Sequence, residues 1–288
     1  MLVLLIAFTS SSALAKSGQD VEKWLINSFK HKPKDHSRVL KTIVDLGEDA
    51  LPSLVKALQY KKLHHNSLYF ICTVANKLHN EKVKDLIQPH LLHQKWIVVS
   101  SCSRTYGFLL AKYSYTFQEI EYLENIMLAS ALNGQCHVAI SAAEGIGFTN
   151  DPSALKIFST WLMQGNKCQK EAALRGYMTS DEQDFAGEMA LRIVSSINES
   201  DFHSTAWVVL RDIGYEPALD IARSTLNGRD PGNNIYQFCL QLMKKIGDKS
   251  DIPLLRKVIK SDPYDGAGVQ AVYARKAIRS IKKRFKSS

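Results

Sequence analysis

The stretch DLGEDALPSLVKAL, residues 45–58, decides the fold, because the chain writes it again as KIGDKSDIPLLRKVI over residues 245–259. Both copies place an apolar residue before a glycine, then a short polar run, then a proline inside a leucine-rich segment. In the first copy Leu51, Leu54, Val55 and Leu58 fall at i, i+3, i+4 and i+7, which puts them on one face of an α-helix. Ile252, Leu255 and Ile259 repeat the pattern. A glycine at the end of a helix tolerates the left-handed conformation that stops it. A proline in the first turn of the next helix loses an N–H that has no helical partner anyway. The phrase is therefore a helix stop followed by a helix start.

Working outward, helical segments that run into a glycine or a polar break end near Leu46, Leu78, Ala111, Ile146, Tyr177, Ile213, Ile246 and Ile281, at spacings of 31 to 36 residues. That length holds two helices and two turns, and no segment alternates with the period of a strand. Gly47, Gly147, Gly214 and Gly247 are expected at helix C-termini, and Pro52, Pro152, Pro217 and Pro253 at the helix starts that follow. In particular EGIGFTN, residues 144–150, reads as a helix C-cap and not as a phosphate loop, since no strand precedes it. The second helix of each pair is expected at about 34–46, 63–79, 95–113, 135–147, 167–178, 200–213, 233–246 and 267–285. AISAAEGIG (139–147) and KEAALRGYM (170–178) put small residues where helices of adjacent units approach closely.

The unit so defined resembles the HEAT repeat, in the bacterial HEAT-like form also found in phycobilisome lyases. Residues 45–79, 137–165 and 213–285 match best, and 80–132 and 178–200 match by length and period alone. The family's Asp and Arg ladder is not placed consistently: Asp262 suits the first position, but Gln270 stands where arginine belongs. The resemblance implies an all-α, right-handed α–α superhelix of about eight helix pairs over residues 16–288, whose second helices line a concave surface.

Charge is uneven along the chain. Residues 1–115 carry 16 Lys and Arg against 8 Asp and Glu, residues 116–240 carry 8 against 16, and residues 241–288 carry 13 against 4. Such zoning argues against a uniformly basic nucleic-acid binder. The opening MLVLLIAFTSSSALAKS has an apolar run over Leu2 to Phe8 and then Ala13-Leu14-Ala15, which reads as a signal peptide cleaved after Ala15. No Lys or Arg precedes the run, so the other readings are a true start upstream of this Met and a short buried helix.

Motifs for a zinc protease, a nucleophile elbow, a phosphate loop or a paired Cys-x-x-Cys are absent. His64, His65, His79, His90 and His93 crowd one span, and His90 and His93 could share a helix face, but no Cys, Asp or Glu at ligand spacing joins them. Trp24, Trp96, Trp161 and Trp207 sit in apolar patterns and are expected in the core. Asn198-Glu199-Ser200 is a glycosylation sequon, relevant only in a eukaryotic secretory setting. Cys72, Cys102, Cys136, Cys168 and Cys239 are odd in number, so at least one thiol is unpaired. Cys102, Cys136 and Cys168 occupy equivalent repeat positions. Stacked helices lie about 9–10 Å apart and a bridge needs Cα atoms within about 7 Å, so these three read as small packing residues with most thiols free. His137 beside Cys136 does not make a nucleophile pair, because neighbours on a helix point about 100° apart.

From these features the chain is expected to be an exported, non-catalytic binding or scaffolding protein, periplasmic or secreted, with no catalytic, cofactor or metal residues assigned. A protein partner is expected, with an acidic protein or anionic surface meeting Arg275, Arg279, Lys282 and Lys283 in the last helix. The alternative is an enzyme or enzyme accessory on the same fold, lyase-like or nucleic-acid-acting, favoured where the N-terminus is retained.

Overall fold

The computed structural model describes residues 18–30, 33–60, 62–78, 80–196, 203–228, 234–264 and 266–286. The apolar start with its cleavage site, His79 and the sequon at 198–200 lie outside them. The chain divides into two compact units, Met1–Tyr115 and Thr116–Ser288. Among the described residues both units are helical, with no strand, and each is a HEAT-like stack of helix pairs.

The first unit holds α1 (Gly18–Ile26), α2 (Pro33–Leu46), α3 (Leu51–Leu58), α4 (His65–Leu78), α5 (Lys82–Ile87) and α6 (Trp96–Lys112). The second holds α7 (Phe117–Leu132), α8 (Cys136–Gly147), α9 (Pro152–Gln164), α10 (Lys167–Thr179), α11 (Gln183–Ser195) and α12 (His203–Ile213). It continues through α13 (Leu219–Asn227), α14 (Asn234–Ile246), α15 (Ile252–Lys260) and α16 (Val269–Arg284). Even-numbered helices are the second members of the pairs, and they fall on the expected ranges to within three residues. Packing couples each even helix to the next within a unit, as α8 to α10, α10 to α12, α12 to α14 and α14 to α16.

Local chemistry starts these helices where the sequence punctuates them. Asp151 caps α9, accepting from the Ser153 N–H at 2.9 Å, with Pro152 opening the helix. Thr116 with Glu119 and Asn166 with Gln169 form capping boxes before α7 and α10. Gly47 and Gly214 stop α2 and α12 with φ of +56° and +76°. Gly147 differs from the expectation. It is the last helical residue of α8, and the left-handed position is taken by Asn150 at φ +54°. A Cβ on Gly147 would lie 2.1 Å from the Gly176 carbonyl oxygen, so this glycine serves the close approach of α8 and α10.

The cysteine reading is corrected by the same closeness. Cys72 on α4 pairs with Cys102 on α6, and Cys136 on α8 with Cys168 on α10, at Cα separations of 5.2 and 5.1 Å. Axes about 9 Å apart leave facing Cα atoms only about 4–5 Å apart, because each Cα stands about 2.3 Å off its axis. The expectation had compared an axial distance with a Cα limit. Cys239 is free and fully buried, and burial pushes its thiol up to about 12.

Trp161 and Trp207 are in the core, and Trp24 packs on His36 and Phe70 at centroid distances of 5.5 and 5.0 Å. Trp96 is 53% exposed instead, since it is the first residue of α6 and its own turn covers little of it. No helix of the described residues is long and apolar enough to cross a membrane.

Candidate functional site

The histidine cluster belongs to the first unit. The His64 and His65 rings stack at 4.1 Å. His90 lies in a short 3-10 segment, Gln88–Leu92, and His93 is its extended cap, so the two do not share an α-helical face. His64 Nδ1 accepts from the Asn66 N–H at 3.2 Å, and His93 Nδ1 from the Lys95 N–H at 3.0 Å, at the starts of α4 and α6. No group of three or more His, Cys, Asp or Glu among the described residues is placed to hold a metal ion. Burial, then His64, Lys95 and His93, hold the His65 imidazole below its usual range, and burial with His93 does the same to His90. The fold thus favours the neutral rings. Their contribution is complete above the unfolded histidine value near pH ~6.5 and is lost as pH falls through the lower folded values. The melting temperature is therefore expected to drop between pH 7.5 and 5.5, and His65→Gln with His90→Gln should flatten that slope in a calorimetric pH series.

The second unit carries the richer surface, on its even-numbered helices. Its framework is a run of ion pairs and hydrogen bonds from one helix to the next. Glu144 on α8, 2% exposed, is paired by Arg175 on α10. Arg175 Nη1 also stands 3.4 Å from Asp212 Oδ2 at the end of α12. Arg211 Nε donates to Asp212 Oδ1 at 2.6 Å, and its Nη1 reaches Gln241 Oε1 on α14 at 2.8 Å. A buried carboxylate without such a partner would cost several kcal/mol, so Glu144 and Arg175 belong together. The odd helices have a separate clamp, in which Arg223 on α13 binds Asp251 and Asp220 at 2.8 and 3.0 Å and lies 3.5 Å from Asp248. This holds the start of α15 to the preceding pair. Asp262 accepts from the Gly268 N–H at 2.8 Å and so caps the entry to α16 without an arginine.

Two hollows adjoin the ladder. The first, about 260 Å³, is lined by Ile140, Arg175, Ser204, Thr205 and Val208 from α8, α10 and α12. Glu171, half-buried on α10, neighbours Thr205 of that lining. Burial raises the Glu171 carboxyl above its usual range, against the opposing pull of Lys167, the Thr205 hydroxyl and His137. His137, Glu171 and Thr205 are each 34 residues apart, one repeat per step. The second hollow, about 630 Å³, lies between the C-terminal ends of α12, α14 and α16 and is rimmed by cations. The residues expected to meet a partner do not line it. Arg275 is half-buried and donates to the Gly266 carbonyl, while Arg279, Lys282 and Lys283 are exposed along α16. Tyr273, Ser280 and Arg284 face the hollow, and at 100° per residue Arg275, Arg279 and Lys282 fall on the opposite side of the helix.

Comparison with known proteins completes the picture. No protein-family model and no curated protein matches the chain. A solved structure, human deoxyhypusine hydroxylase in complex with glycerol, is similar over 92% of this chain and 96% of that chain, with 12% sequence identity and a TM-score of 0.41. That neighbour is an enzyme, and the expectation of a non-catalytic scaffold is corrected accordingly. At this identity and TM-score the likeness transfers no reaction, substrate or cofactor to the chain.

Proposed function

We propose that the chain is an enzyme or enzyme accessory of lyase-like type, working from the even-helix face of its C-terminal unit, with Glu171 as a proton-exchanging carboxyl. The observation that carries the reading is a half-buried glutamate whose neighbour Thr205 lines a hollow, with a carboxyl that burial has raised. Strongly placed titratable groups beside a hollow are the usual mark of acid–base chemistry. Lys167 and His137 lie close enough to pull against that rise. Addition and elimination reactions need such a group to give or take a proton. A nucleic-acid-acting enzyme fits less well, because residues 116–240 carry 16 acids against 8 bases and would repel a phosphate backbone. The two interhelix bridges favour an oxidising compartment, periplasmic or extracellular.

Replacing Glu171 tests the reading on the protein itself. A raised acid value means the fold favours the protonated form, so its contribution is full below the unfolded value near ~4.3 and is lost as pH rises through the folded one. Glu171→Gln keeps an acceptor for Thr205 and removes that loss, so the melting temperature at pH 7 to 8 is expected to rise. In a screen of addition and elimination substrates, the same variant should lose about 100-fold or more of any turnover the wild type shows. A lowered melting temperature, or full turnover in the variant, would sink the proposal.

A further inference from the structure

The geometry points to a binding site for a small phosphate-bearing ligand in the hollow between the C-terminal ends of α12, α14 and α16. Arg211, Lys244, Lys245 and Arg284 line it with Tyr273 and Ser280, and among the described residues Asp212 is the one acid in the lining. That acid is already shared, since Arg175 stands 3.4 Å from it and Arg211 donates to it at 2.6 Å. The lining keeps a surplus of positive charge that a single carboxylate ligand would not match. A phosphate dianion, with three strong acceptor oxygens, does.

The two guanidinium groups are set in advance. Arg211 is fixed by Asp212 and Gln241. Arg284 is fixed by the Lys244 and Gly247 carbonyls, the first at 2.7 Å, and by Ser280 Oγ at 3.3 Å. A ligand arriving there orders little that is not ordered already, which lowers the entropic cost of binding. Lys244 is exposed at the mouth and can close on it. Part of this charge serves the fold, because Lys245 donates to the Asp212 carbonyl and Arg284 to helix-end carbonyls, where cations offset the helix dipole. Lys244 is the residue that separates the two roles. A volume of about 630 Å³ suits a small molecule, and the acidic excess over residues 116–240 disfavours an extended polyanion. The site stands independently of Glu171.

Calorimetric titration with inorganic pyrophosphate, at ionic strength held constant with sodium chloride, tests it. The wild type should bind, and Lys244→Glu should raise the Kd at least tenfold with an unchanged melting curve. Arg279→Glu, the same charge reversal on the far side of α16, should leave the Kd in place. A parallel arm uses phosphatidylcholine vesicles with and without phosphatidic acid. Capture that depends on phosphatidic acid and on Lys244 places the phosphate on a lipid headgroup, and pyrophosphate binding without capture places it on a soluble molecule. Binding to neither probe, or equal losses in the two variants, overturns the assignment.

Discussion

Gly147→Ala is expected to cost about 3 kcal/mol or more, or to abolish soluble expression, as overpacking of a rigid contact does. Helix propensity alone gives the opposite sign, since alanine inside a helix is favoured over glycine by about 1 kcal/mol. Packing decides. The new Cβ would meet the Gly176 carbonyl oxygen at 2.1 Å and Thr179 Oγ1 at 2.3 Å. Neither can move freely, because Thr179 donates to the Glu144 and Gly176 carbonyls at 2.8 and 3.0 Å, and a Cβ on Gly176 would in turn strike the Phe158 ring at 2.4 Å. Gly134→Ala is the control. Its φ is +70° but nothing stands within 4 Å of a Cβ there, so its cost should stay within the about 1–2 kcal/mol of a left-handed alanine. Melting temperatures of the two variants, compared with the wild type, check the order. Equal losses would show that backbone conformation and not the α8–α10 contact governs this glycine.

Opening the Cys72–Cys102 bridge is expected to have an effect of similar size. The bridge closes a sequence separation of 30 residues, for which the chain-entropy estimate is about 3–4 kcal/mol. In a unit of this length that corresponds to a fall in melting temperature of roughly 10 °C or more. Cys72→Ala with Cys102→Ala should produce it without reductant, and reduction of the wild type should add the loss of Cys136–Cys168. Alkylation of the denatured, unreduced protein should modify one thiol, Cys239, and reduction first should raise the number to five. Labelling of all five without reductant would remove both bridges and the stabilisation assigned to them.

Helix boundaries were legible because glycine, proline and the 3.6-residue period act locally, over a few residues of one helix. The second helix expected at 135–147 is Cys136–Gly147, and that at 233–246 is Asn234–Ile246. What depended on the distance between units was harder to read. The bridges were missed because axial spacing stood in for Cα spacing, whereas at Gly147 the close approach expected of AISAAEGIG holds and only the left-handed helix stop does not. The ion ladder did leave a trace in AISAAEGIG and KEAALRGYM, where a glutamate and an arginine interrupt faces of alanine and glycine. A charge on a face that close-packs must find its partner across it, so Glu144 and Arg175 could have been paired from sequence. Glu171 offered less, since its shift depends on burial that only the folded chain supplies.

The 34-residue step that aligns His137, Glu171 and Thr205 also bears on how such a chain can change through inheritance. Adding or deleting a whole repeat keeps every later residue in phase with the ladder, whereas adding one residue inside an even helix turns everything beyond it by about 100° and breaks the alignment. Length variation in this face is therefore quantised. Duplication and loss of complete helix pairs is the route by which the ladder can lengthen or shorten while each hollow keeps its walls.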